Sequence, residues 1–109
     1  MTSLKEKRCI PCEGGVPALT PEEIARLAPE TPEWKVAPDG KSISREFVFD
    51  DFAKALAFAN KIGDIAQAEW HHPDLRVSWG KVNVTMSTHA VKGLSENDFI
   101  VAAKIDAIA

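Results

Sequence analysis

His71 and His72 stand side by side with Pro73 directly after them, and the whole chain holds only three histidines. Imidazole, with an ordinary pKa of about 6.5, gives or takes a proton near neutral pH. Two of them at one point raise the question of proton transfer. The plainer reading is a helix stop with two exposed rings, because Pro73 pushes His72 out of the α region. The third histidine, His89, follows a stretch in which Val82, Val84 and Met86 alternate with Asn83, Thr85 and Ser87. By parity it belongs with the polar set and not with the packed valines. In an antiparallel hairpin turning at Gly80-Lys81, His89 at the far end of the second strand lies beside residues 71–74. The three imidazoles then converge by topology alone. Three histidines can also hold zinc. Adjacent residues, however, splay apart on a helix or a strand, which ranks acid–base chemistry above metal binding.

Cys9 and Cys12 form a second candidate, spaced C-x-x-C. A zinc ribbon needs a second such pair, and there is none. A thioredoxin-like motif follows a strand and opens a helix, whereas CIPCEGGVP is rich in Pro and Gly and precedes any strand signal. The expectation is a pair of free thiols in a mobile arm.

The elements that position these groups can be read in order. Residues 1–19 read as an irregular N-terminal arm, punctuated by Pro11, Gly14, Gly15 and Pro17. A single domain follows over 20–109. Thr20-Pro21-Glu22-Glu23 is a capping box with proline at the first helical position, and Pro29 and Pro32 end that helix. Strands are expected at about 33–38 and 41–49, joined at Asp39-Gly40. Asp50 or Asp51 caps a long helix with Phe52, Ala55, Leu56, Ala59, Ile62, Ile65 and Ala66 as its apolar stripe, failing near His71. Leu75, Val77 and Trp79 form a strand of the second hairpin, and Val82 to Thr88 the other. Ser95 caps a last helix, with Asp98 in the capping-box position and Phe99, Ala102, Ala103 and Ile105 buried. The order is α-β-β-α-β-β-α. It predicts an α+β fold: a four-stranded antiparallel sheet with helices packed on one face.

The chain has 109 residues, net charge -3, and is 45% hydrophobic and 27% charged. That suits one globular domain, and small domains often gain stability by oligomerising. The acidic balance argues against nucleic acid as a partner. No apolar run is long enough for a membrane span, and the N-terminus lacks the apolar core of a signal peptide, so a cytoplasmic location is expected.

His71-His72-Pro73-Asp74, the aromatic Trp79, Ser87-Thr88-His89, Gly93-Leu94-Ser95 and Asp98 together resemble the pterin-4a-carbinolamine dehydratases. The arm pattern CxxC-x-GG-x-P-x-LT, Pro32-Glu33-Trp34 and Arg45-Glu46-Phe47 are similar to bacterial-type members. The resemblance implies the same element order, a homodimer that extends the sheet, and often a homotetramer. It implies dehydration of 4a-hydroxytetrahydrobiopterin to quinonoid dihydropterin, in recycling coupled to an aromatic amino acid hydroxylase. It requires no metal and no cofactor. His71, His72 and His89 would be the catalytic set, with His71 and His89 carrying most proton transfer and His72 mainly binding. Gln67, Glu69, Trp70, Pro73, Ser87, Thr88 and Asp98 would contact the pterin. Asp98 would orient His89 or cap the last helix. Gln67 departs from the acidic residue that many members carry four positions before the first histidine. Other proteins of this fold serve as non-enzymatic coactivators or assembly factors, which is the alternative; a hydrolase or metal-binding protein using the same histidines is a further one.

Overall fold

A computed structural model describes residues 3–10 and 17–109. Expectations for Pro11, Cys12, Gly14 and Gly15 lie outside the described residues. The elements are α1 (Pro21–Leu27), β1 (Lys35–Val36), β2 (Ile43–Val48), α2 (Phe52–Glu69), β3 (Asp74–Ser78), β4 (Lys81–Met86) and α3 (Glu96–Ile108). The four strands form one antiparallel sheet in the order β1-β2-β4-β3. This is the α+β order that the caps and periodicities predict.

The start signals work as their chemistry requires. The Thr20 hydroxyl accepts the Glu23 N–H at 3.2 Å, and the Glu23 carboxylate accepts the Thr20 N–H at 2.9 Å. Those bonds hold the Glu23 carboxyl below its ordinary range. Asp51 caps α2 by accepting the Lys54 N–H at 2.8 Å. Gly40 turns the first hairpin with a positive φ of 69°, a conformation glycine adopts without steric cost. The inner face of the sheet buries Ile43, Phe47, Val82, Val84 and Met86 against Ala55, Phe58 and Ile62 of α2 and Phe99 and Ile105 of α3.

Five local expectations are corrected. β1 is two residues long, not six, because Pro32 and Pro38 flank it and Trp34 turns into the core, where its indole N–H donates to Asp106 at 2.8 Å. β3 stops at Ser78, which pairs with Lys81, so the turn is Trp79-Gly80 and Trp79 is exposed. A Cβ on Gly80 would stand 2.9 Å from the Phe49 carbonyl oxygen, so only glycine fits there. β4 ends at Met86, not Thr88. The α2 stripe buries Ala55, Ala59, Ile62 and Ala66 as expected but is shifted at its edge: Phe58 is buried, whereas Phe52 and Leu56 are 45% and 43% exposed. In α3 Phe99, Ala102, Ala103 and Ile105 are buried as expected, and the arm, expected to be irregular, packs on the outer side so that burial runs nearly all round from Asn97 to Ala103. There Leu4–Glu6 form a 3-10 turn and Leu4 is fully buried in the core.

Candidate active site

α2 ends by a left-handed turn at Trp70, with φ 52° and ψ 45°. The N–H groups of both Trp70 and His71 return to the Ala66 carbonyl, which satisfies the helix end. That conformation costs a residue with a Cβ about 1–2 kcal/mol. The chain leaves the helix there, and His71 meets the start of α3 while His72 turns back to α2.

At that start, Asp98 is fully buried and accepts three hydrogen bonds. Oδ1 lies 2.7 Å from His71 Nε2; Oδ2 lies 2.8 Å from Thr88 Oγ1 and 3.0 Å from the Ser95 N–H. Ser95 Oγ is 2.8 Å from Thr88 Oγ1. Since a carboxylate accepts only, Thr88 spends its one proton on Asp98, and Ser95 donates to Thr88. His71 therefore presents Nε2–H to the carboxylate, which leaves Nδ1 as the ring nitrogen not engaged by Asp98. Asp98 both caps α3 and anchors His71; it is not bonded to His89.

His72 is exposed, and its Nε2 lies 2.6 Å from Gln67 Oε1. Its ring meets Trp70 edge-on, 5.0 Å between centroids. The left-handed turn explains why Gln67 serves the second histidine and not the first. His89 opens a 3-10 turn, His89–Val91, within a loop closed by the Thr88–Gly93 bridge. A Cβ on Gly93 would fall 2.9 Å from Ala18 Cβ, so the loop packs tightly at its base.

These groups border one cleft of about 570 Å³. His71, His72 and His89 line it, with Glu69, Trp70, Ser87 and Thr88. Gln67, Pro73 and Asp98 do not line it; Asp98 lies behind His71. Cys9, Ile10, Ala90 and Asn97 complete the wall. Burial first, then the Glu69 charge, pushes the Cys9 thiol up to about 12. Among the described residues, no group of three or more His, Cys, Asp or Glu side chains could hold a metal ion.

A family model described as pterin 4 alpha carbinolamine dehydratase matches residues 17–108. The chain belongs to the pterin 4 alpha carbinolamine dehydratase family. Its relatives include proteins provisionally named pterin-4-alpha-carbinolamine dehydratase from Rickettsia canadensis strain McKiel, 54% identical with 97% of each chain covered, and from Methylococcus capsulatus strain Bath, 46% identical with 98% of this chain and 94% of the other covered. The crystal structure of a transcriptional coactivator/pterin dehydratase from Brucella melitensis superposes with a TM-score of 0.79 at 32% identity, over 84% of this chain and 98% of that one. A pterin dehydratase-like RuBisCO assembly factor of the alpha-carboxysome shares the fold, with a TM-score of 0.61 at 22% identity over 71% of this chain and 89% of that one.

In this member of the dehydratase family, sequence reasoning missed the part of the cleft that the arm supplies. The Cys-x-x-Cys spacing marked Cys9 as notable but said nothing of where it sits. Asn97 gave a weak signal: a polar residue at the second position of a largely apolar helix. No helix among the described residues is long and apolar enough to cross a membrane.

Proposed function

We propose that this chain dehydrates 4a-hydroxytetrahydropterin to quinonoid dihydropterin and water, with His71, His72 and His89 as the acid–base set. The observation that carries the reading is the meeting of three imidazoles at one cleft, with His71 held on a buried carboxylate.

The chemistry asks for little else. The C4a–O bond breaks as a protonated imidazole gives its proton to the leaving hydroxyl, which departs as water. A neutral imidazole takes the N5 proton, and the electrons of the N5–H bond form the C4a=N5 double bond. One proton enters and one leaves, so the pair is restored by exchange through solvent. Each such transfer is worth about 10²–10⁴ in rate. Trp70 offers an apolar face and Ser87 a hydroxyl to the pterin, whereas the Thr88 hydroxyl is engaged by Asp98 and Ser95; the Glu69 carboxylate is covered and bonded to the arm. A pterin of this oxidation level is the product of an aromatic amino acid hydroxylase, which is the coupled partner of the reading.

The same proposal includes a homo-oligomer. β3 is an edge strand with one partner, and Leu75 on it, with Phe52 and Leu56 on the helix packed against it, leaves apolar surface exposed. A second copy pairing along β3 would extend the sheet and cover that surface.

Single alanine variants test the division of roles. His71→Ala and His89→Ala are expected to lower kcat by about 10²–10⁴, and His72→Ala mainly to raise KM. An inert His72→Ala beside an active His89→Ala would sink the assignment.

A further inference from the structure

Residues 7–10 run across the gap between the end of α2 and the start of α3, and a set of contacts holds them there. Glu69, the last residue of α2, accepts the Cys9 N–H at 2.8 Å. Its other oxygen stands 3.7 Å from Arg8 Nε and 3.8 Å from Lys104 Nζ. Asn97 grips Ile10 from both sides: Oδ1 accepts the Ile10 N–H at 3.1 Å, and Nδ2 donates to the Ile10 carbonyl at 2.6 Å. Lys7 pairs with Glu96 at 3.0 Å. Burying a carboxylate and an amide is costly unless each is well bonded, and a loose arm has no use for such a grip.

The same two helix ends carry Trp70-His71 and Asp98, so the arm is fixed in the frame that fixes the imidazoles. Ile10 and Trp70 both line the cleft, and they are 72% and 76% exposed. Two large apolar side chains left open on one concave surface suit an apolar part of a ligand.

We propose that Cys9-Ile10 is a specificity wall of the cleft, in which Ile10, together with Trp70, receives the carbon substituent at C6 of the pterin. This rests on the dehydratase reading. The reacting C4a–N5 edge must face the imidazoles, and C6 is bonded to N5. Its substituent therefore falls beside the imidazoles, where the neighbouring walls are Trp70 and the arm. The amino and oxo groups of the pyrimidine ring need hydrogen-bonding partners instead, which an apolar wall cannot supply.

The test uses the full chain and two stable 7,8-dihydropterins, one with a hydroxyalkyl chain at C6 and one with hydrogen there, titrated by calorimetry. The wild-type chain is expected to favour the substituted pterin about five- to tenfold. Ile10→Ala and Ile10→Asp, both at an exposed position, should remove most of that preference and leave affinity for the unsubstituted pterin within about twofold. In turnover, KM for a C6-substituted substrate should rise while kcat is kept. Equal wild-type affinity for the two pterins, or an unchanged preference in the variants, overturns the wall and leaves the dehydratase reading standing. A wild type that binds neither overturns both.

Discussion

Removing the charge from Asp98 while keeping its shape separates its two jobs. As asparagine, its oxygen still accepts from Ser95 N–H and Thr88, and the cap of α3 survives. The amide nitrogen then faces His71 Nε2, which must become an acceptor. His71 would carry its proton on Nδ1 and lose the lone pair that exchanges protons. Asp98→Asn is expected to lower kcat about 10²-fold or more with far-ultraviolet dichroism unchanged; a kcat within about twofold of wild type would contradict this role. Cys9 offers a second residue-level test. Its folded pKa is pushed up to about 12 from 9.0, so the folded chain keeps a proton that the unfolded chain releases. That contribution to stability is fully present below pH 9.0 and is lost as pH rises toward about 12. Site-resolved mass spectrometry should show Cys9 resisting alkylation at pH 8 in the folded protein. Rapid labelling there would count against the raised thiol pKa.

At the scale of elements, the turn at Trp70 combines a strained backbone with a cleft-lining side chain. Asparagine adopts the left-handed conformation with less strain than a bulky residue. Trp70 is so exposed that little apolar burial is lost on replacing it. Trp70→Asn is expected to raise the urea midpoint by an amount equal to about 1 kcal/mol at unchanged m, although it removes a wall of the cleft. A lowered midpoint would show that the turn stores no strain. Element starts were legible in the sequence because caps are local chemistry: Thr20 with Glu23, Asp51 with Lys54, and Ser95 with Asp98 need only their own neighbours. The edge of the α2 stripe was not, although Ala55, Ala59, Ile62 and Ala66 are buried as their spacing predicts. Phe52, Leu56 and Phe58 are equally apolar, and which of them enters the core depends on where the sheet and α3 lie. Trp79 has the parity of the strand, whereas the close approach of Gly80 to Phe49 moves the turn one residue earlier.

On the scale of the whole molecule, the convergence of His89 with His71 and His72 was legible because a hairpin maps one strand end onto the other. Which of the histidines Asp98 holds was not, since that depends on a left-handed turn that a tryptophan gives no reason to expect. The packed arm was equally hidden: Leu4 is one apolar residue without periodicity, yet it is fully buried against α3. The sheet edge at β3 carries the prediction for assembly. Sedimentation should give a mass above that of one chain for the wild type, and Leu75→Asp should shift it toward the monomer, since a charge on an edge strand opposes pairing. A monomeric wild type would remove the oligomer from the account.

These imidazoles are proposed to accelerate loss of water from a pterin carbinolamine. Stopped-flow absorbance on freshly formed 4a-hydroxytetrahydropterin measures it directly, because the substrate also dehydrates spontaneously and supplies its own baseline. The wild-type chain is expected to accelerate the reaction, and the acceleration to be lost when His71 and His89 are both alanine. A wild-type rate equal to the spontaneous rate would contradict it.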